Sequence, residues 1–490
     1  MPPPCLRAAG DRDQGRSGTG RGTGTEMAKD LRGFLERLEA ERPAHLVRVK
    51  EPLDPRFEVS AVVEELNRLP AAPVLVAEQI VGSPFPLVGN VLADRDRIAY
   101  MLGVPREGLI AEFNARAARR IPPMEVADAP WREQVFEGKE LDCTRLPVPT
   151  HFEQDGGPYL TACLVVARDP VLGVHTIGHH RMMLKGPRKL GISLHSRRRM
   201  WEYLRKAQEL KQDLPAAVVL GVHPLVSLGA SLSPPPPEMD KLDALGAMLG
   251  EPVEVARVGD LDVWAPRWAE IVIEGRILHA AREPEGPLGE FTGYASGRGT
   301  ENLFEPTRLW CRRGAIFQNI MAGMSNEHCL LCAFPREALV TTILRRTIPT
   351  VRAVHVPLRT TGGFVCFVSM RKTMEGQARQ AILATMGADH YFKLVVVVDE
   401  DVDVFDVEQV IWAVATRAQA DRDFLIVPDA PGTLLDPSAR VAEGSQHPLT
   451  AKVGIDATKP LSGFASTLSL PAAARARARA ILRGAGLAMG

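Results

Sequence analysis

Charge of one sign is what this sequence lacks first: lysine plus arginine and aspartate plus glutamate each number 59 in 490 residues. A chain with no net field has no general attraction for nucleic acid or for an anionic membrane surface, which excludes polyanion binding as its primary role. Cysteine is sparse as well. Seven residues, an odd number without dense spacing, do not make a secreted disulfide framework and point to a reducing compartment. No run of about 18 apolar residues is available to span a bilayer, and the N-terminus lacks the apolar segment of a secretory signal. The chain therefore reads as cytoplasmic, with no integral membrane segment. Aromatic residues are few, at 6%, which speaks against a sugar cleft around any paired carboxylates.

What is present is an ordinary globular balance, 45% hydrophobic and 24% charged, over a length that suggests about three domains. Residues 1–26, rich in Gly, Arg, Pro and Ser, read as a disordered tail, and Met27 as an alternative start. Residues 27–130 alternate helix and strand. Asp30 is placed to cap a helix whose apolar side is Leu31, Phe34, Leu35 and Leu38, a second helix is expected over 58–69, and strands over 73–77 and 86–92. Residues 131–335 change character: strand-like runs at 159–168, 173–184, 216–222, 268–278 and 308–321 suggest a barrel or sandwich, interrupted by one helix, 197–211. The Pro-rich segment 233–237 is expected to be a surface loop. Residues 336–470 alternate again, with helices at 336–346, 375–386 and 406–418 around strands at 351–357, 363–370 and 393–398. In 471–490, Pro471 opens a last helix, 472–483, whose apolar residues are mostly alanine. It is expected either to dock on a partner subunit or to fray.

Two stretches carry chemistry. In Arg282-Glu-Pro-Glu-Gly-Pro-Leu-Gly-Glu-Phe-Thr-Gly-Tyr294, glycine and proline rule out regular structure, so Glu285 and Glu290 are expected on a tight loop between an apolar strand and two aromatic residues. Burial raises a carboxyl pKa and suits it to donate a proton near neutral pH; the alternative is a polar hairpin tip. In His175-Thr-Ile-Gly-His-His-Arg-Met-Met-Leu-Lys185, Arg181 has the strand parity of His175 and His179, so these should face one side. A guanidinium there can grip a substrate carboxylate through two hydrogen bonds; a solvated barrel face or a metal site are the other readings. Cys329 and Cys332 have no second pair and read as buried, inert thiols. The acids from Asp399 to Asp406 lack the glycine and spacing of a calcium loop and read as a strand end leading into a helix N-terminus.

Together these stretches resemble the UbiD family of reversible decarboxylases, over about Asp30 to Pro460. The segment 285–294, with its carboxylates five residues apart, is similar to the family's catalytic loop. Arg181 is similar to its catalytic arginine. Lys393 with Asp399 and Asp401, the segment Val410 to Arg417, and Gly454 to Thr458 are similar to its C-terminal motifs. The resemblance implies a mixed α/β chain: an N-terminal α/β domain, a central split β-barrel of flavin-reductase-like type, and a C-terminal α/β oligomerisation domain with a terminal helix. It implies prenylated FMN as cofactor, supplied by a flavin prenyltransferase, a small aromatic or heteroaromatic acid and CO2 as reactants, and a homodimer or homohexamer. Arg181, held by Glu285, would orient the carboxylate, and Glu290 would deliver the proton. Thr176, His195, Lys241, Lys393 and Arg417 would face the cofactor.

One departure stands out. Family members that hold manganese or magnesium over the flavin phosphate use Asn, His and Glu; the corresponding positions here are Thr176, His195 and Lys241, so only His195 remains as a metal ligand. Thr176 and Arg181 also differ in strand parity, and Gly178 is the expected bulge that brings them together. The resemblance leaves two other readings: a carboxylase or decarboxylase of this fold that works without prenylated FMN, and a non-catalytic subunit supporting an active paralogue.

Overall fold

The computed structural model describes residues 29–194, 198–232, 236–441 and 447–486. The expected tail 1–26, the start at Met27, His195 and residues 233–235 of the Pro-rich segment lie outside them. Helix Leu31–Glu41 begins as read: Asp30 accepts a hydrogen bond from the Gly33 amide at 2.9 Å, and Leu31, Phe34, Leu35 and Leu38 are buried. Behind it lies a four-stranded sheet in the order Leu46–Val49, Val74–Ala77, Leu87–Gly89, Phe317–Asn319. Its last strand arrives from more than 200 residues downstream and pairs parallel with Leu87–Gly89.

The central region holds nine antiparallel strands curled into a half-barrel, the two longest being Ile271–Glu285 and Gly299–Cys311. Both faces are covered. Val165, Val218 and Ile273 pack on one side with helix Arg199–Glu209, while Leu164, Val219 and Val272 pack on the other with Trp131, Leu242 and Leu245. Burial on both sides makes these strands continuous apolar runs rather than alternating ones. Two helices within this region, Pro224–Ala230 and Leu242–Leu249, were not anticipated. Pro224–Ala230 is buried throughout and Leu242–Leu249 nearly so, and a helix enclosed on all sides has no amphipathic period to betray it.

Helix Asn326–Thr347 then runs from the central sheet into the C-terminal region. It starts at Asn326, not at 336: Ser325 caps it, accepting from the His328 amide at 3.2 Å, and Pro335 lies inside it. The last sheet has the order Val351–His355, Val365–Met370, Leu394–Asp399, Pro448–Ala457, Phe424–Pro431, with Arg440–Val441 at one side. Helices Gln377–Ala388 and Val407–Arg417 flank it, and Ala472–Gly484 follows with none of its residues buried. No helix among the described residues is long and apolar enough to cross a membrane.

Candidate active site

The arginine strand is shaped by a break. Leu164–Arg168 pairs with His175–His179 in unbroken register, Val165 opposite Gly178 and Ala167 opposite Thr176, so Gly178 is not a bulge. The irregularity falls instead at His180 and Arg181, between His175–His179 and the next strand, Met182–Gly186. There the chain redirects Arg181 into the cavity lined also by Thr176, Gly178 and His179. His175 points elsewhere: its ring packs edge-on to Trp264 with centroids 4.7 Å apart, and its Nδ1 is 2.9 Å from Asp240. Strand parity holds from His175 to His179 but does not carry across the break, so the expectation that Arg181 shares their face is corrected.

Glu285 is the last residue of strand Ile271–Glu285 rather than part of the loop, and Glu290 sits on the turn that follows. Two glycines shape that turn. Gly286 has φ of 91°, a left-handed conformation costly for any side chain. Gly289 lies against Phe152, where a Cβ would come within 2.5 Å of the ring. Asp155 fastens the turn by accepting the Gly289 amide at 2.9 Å, and the Glu290 amide donates to the Tyr294 carbonyl at 2.9 Å.

These elements bring Arg181, Glu285 and Glu290 together. Arg181 Nη1 donates to Glu290 Oε1, and Arg181 Nε lies 3.3 Å from Glu285 Oε1. The second contact is an ion pair outside hydrogen-bond geometry, so Arg181 Nε and both Glu285 oxygens have no hydrogen-bond partner among the described residues. Burial pushes the Glu290 pKa above the ordinary carboxylate value, although Arg181 and His328 pull it down. Burial works against the charge on Arg181, but Glu290 and Glu285 outweigh it and raise its pKa. The hydroxyl of buried Tyr159 is also raised, by desolvation and then by the neighbouring Glu285.

The cavity encloses about 310 Å³. Leu288, Phe291, Ile320, Leu331, Tyr391 and Leu435 give it apolar and aromatic walls. Helix Asn326–Thr347 contributes His328, Cys332 and Arg336, which recur every four residues along one face. Cys329 is buried with its thiol pKa pushed up, as an inert thiol should be. Cys332 differs: it lines the cavity. Burial raises its pKa, but His328 and Arg336 outweigh that and lower it, which favours the thiolate. His328 is the counterpart: burial opposes its charge, Cys332 and Glu290 support it, and its pKa is raised. Sequence reasoning missed this group because it started the helix at 336; the spacing of His328, Cys332 and Arg336 was the available signal.

Of the residues expected at a cofactor, Thr176 and Lys241 are buried in the cavity wall. Lys393 and Arg417 are not among its lining residues. Lys393 Nζ donates to Asp436 and Ser438 at 2.8 and 2.6 Å, bracing the turn that carries Leu435 to the cavity. Arg417 is buried between Asp399 and Asp401, at 2.9 and 3.0 Å, and Asp406 caps helix Val407–Arg417. Their ion pairs account for both side chains without a ligand.

A flavin suits this lining. Phe291, Tyr391 and Leu288 offer apolar surface to a ring system, Thr176 and Ser193 offer hydroxyls, and Lys241, Arg198 and Arg199 offer charge to a phosphate. A divalent ion does not suit it. Threonine at 176 and an ammonium at 241 replace two donors of the implied set.

Known proteins share this fold. Family models described as the N-terminal, Rift-related and C-terminal domains of 3-octaprenyl-4-hydroxybenzoate carboxy-lyase match residues 35–117, 124–325 and 329–457. An anhydromevalonate phosphate decarboxylase of Methanothermobacter thermautotrophicus is 33% identical over 438 residues, 88% of this chain and 97% of that protein. A phenolic acid decarboxylase of Streptomyces is 30% identical over 451 residues, covering 88% and 92%. The UbiD-class enzyme HmfF of Pelotomaculum thermopropionicum, solved in complex with FMN, superposes with a TM-score of 0.85 at 36% identity, covering 91% of this chain and 98% of that one. An evolved dimeric form of HmfF in complex with prFMN gives 0.82 at 34%, with the same coverage. The chain belongs to the UbiD family, and it is a decarboxylase of that type.

Proposed function

We propose that the chain decarboxylates an aromatic or heteroaromatic acid without net oxidation, using prenylated FMN made by a flavin prenyltransferase. The observation that carries this reading is the meeting of Arg181, Glu285 and Glu290 at one apolar, aromatic-walled cavity. Loss of CO2 from an sp2 carbon leaves an electron pair that no ordinary side chain accepts, and prenylated FMN, when bound, supplies that electron sink.

The residues divide the remaining work. Glu285 sits beside Arg181 Nε and keeps the guanidinium oriented. The guanidinium takes the substrate carboxylate through two hydrogen bonds. To do so it must release Glu290, which now holds Nη1. The pull of Arg181 on Glu290 then weakens, and burial, with the neighbouring Glu285, favours its protonated form against His328, so it takes up a proton as substrate settles. Once CO2 departs, Glu290 delivers that proton to the vacated carbon. Carboxylate plus proton becomes arene plus CO2, and atoms and charge balance. The walls formed by Leu288, Ile320, Leu331 and Leu435 keep water from competing as proton source.

A second reading is an unsaturated, non-aromatic acid bearing a phosphate. Arg336, and His328 with its raised pKa, lie in the same wall and favour it. Protein produced with and without a flavin prenyltransferase, assayed for CO2 release from aromatic, heteroaromatic and phosphorylated unsaturated acids, separates the readings. Turnover of aromatic acids by the co-produced protein alone is expected. Equal turnover without the prenyltransferase would remove prenylated FMN, and turnover of the phosphorylated acid alone would remove the aromatic substrate.

A further inference from the structure

Lys241 is a buried lysine with no carboxylate paired to it among the described residues. The residue is 6% exposed, yet among the described residues its Nζ makes one hydrogen bond, donating to the Ala230 carbonyl at 2.8 Å. The neighbouring acids are otherwise engaged or turned away. Asp240 accepts from the His175 amide at 3.0 Å and from the Leu242 amide at 2.8 Å, and lies 2.9 Å from His175 Nδ1, while Asp243 forms no ion pair with Lys241. The charges that reach Lys241 are those of Arg198 and Arg199, and both are positive. Taking an ammonium out of water is strongly unfavourable unless a counter-charge meets it, and burial accordingly pushes its pKa down to about 7. It nonetheless lines the cavity, beside Thr176 and Gly178. A Cβ on Gly178 would lie 3.7 Å from Nζ, so the glycine leaves that approach to the ammonium open.

We propose that the missing counter-charge is the phosphate of the flavin, and that Lys241 replaces the divalent ion by which relatives with an Asn, His and Glu set hold it. This rests on the flavin reading above and deepens it. The substitution is coherent at both positions. An ammonium at 241 repels a metal ion and donates directly to phosphate oxygens, as a point charge, and Thr176 on the same wall adds a hydroxyl donor where the metal-binding relatives need an amide oxygen. Phosphate in turn restores full charge to Lys241, so binding is accompanied by proton uptake near neutral pH.

The experiment compares FMN with riboflavin, which lacks the phosphate, by flavin fluorescence quenching on the full chain treated with EDTA. Wild type is expected to bind FMN with the same Kd before and after EDTA, and metal analysis of FMN-loaded protein is expected to find no stoichiometric manganese or magnesium. Lys241→Met should weaken FMN at least tenfold, about 1.4 kcal/mol, and leave riboflavin unchanged; Lys241→Arg should recover most of the loss, and serves if the Met variant does not fold. Thr176→Asn with Lys241→Glu should make FMN binding depend on added manganese. Stoichiometric metal in wild type, loss of FMN on EDTA treatment, or equal weakening of FMN and riboflavin in the variants would overturn the inference while leaving the flavin reading intact. Failure of wild type to bind either flavin would overturn both.

Discussion

Glu290 is held between two opposed influences, a buried position that favours its neutral form and a guanidinium that favours its anion. Glutamine keeps its shape and removes its proton. Glu290→Gln is therefore expected to lower kcat by about a hundredfold or more, the usual contribution of a general acid, with melting temperature little changed. Retention of more than about a tenth of turnover, a loss of barely 1.4 kcal/mol, would show that another group delivers the proton. The pH dependence has a definite sign. Only protonated Glu290 can donate, so kcat should be sustained above the ordinary carboxylate range and fall as pH rises through the elevated pKa. A kcat profile measured from pH 5 to 9 checks it, and an unchanged alkaline limb in the Gln variant would assign the limb elsewhere. That Glu285 and Glu290 flank a tight turn was legible in the sequence because glycine and proline spacing marked it. The electrostatic setting of Cys332 was not legible, since its neighbours His328 and Arg336 lie one helical turn away on either side and share its face only once the helix is drawn through Pro335.

Helix Asn326–Thr347 is the element that joins the regions, and Glu337 is its anchor. Fully buried, it accepts both Nη groups of Arg95 at 2.7 and 2.6 Å, takes the Val356 amide at 2.6 Å, and lies 3.0 Å from His355 Nδ1. One carboxylate thus ties helix Arg95–Leu102 to the C-terminal strand Val351–His355. Removing it strands a buried guanidinium, and losing one partner of such a pair costs about 3–5 kcal/mol. Glu337→Ala should lower stability by that amount in urea unfolding; a change under about 1 kcal/mol would mean that water already reaches Arg95. At this scale the sequence was a good guide where elements are amphipathic, as in Leu31–Glu41, and a poor one where they are wholly enclosed, as in Pro224–Ala230. It placed the start of Asn326–Thr347 too late, although Ser325 three residues before His328 offered a cap.

Across the whole molecule, mixed α/β organisation was legible from the alternation of periods, but the composition of the first sheet was not. Phe317–Asn319 completes it, and a parallel pairing between segments so far apart leaves no local trace. The C-terminal arm poses the remaining large-scale question. Residues 461–486 are exposed throughout, including Leu468 at 97%, Leu470 at 69% and Ile481 at 62%. Helix Ala472–Gly484 has 13 residues and buries none of them, and an isolated helix of that length is marginal in water even when rich in alanine. We propose that a second copy of the chain covers the apolar side chains held out on this arm. The same domain also exposes Trp412 at 46% and Ile426 at 68%. A chain ending after Pro460 is therefore expected to form a smaller assembly by light scattering coupled to size exclusion. Because the arm packs so little against its own chain, far-ultraviolet signal and intramolecular packing should persist, while the melting temperature loses its dependence on protein concentration. An unchanged mass would show that the arm covers no neighbour and that the exposed face around Trp412 must account for association by itself.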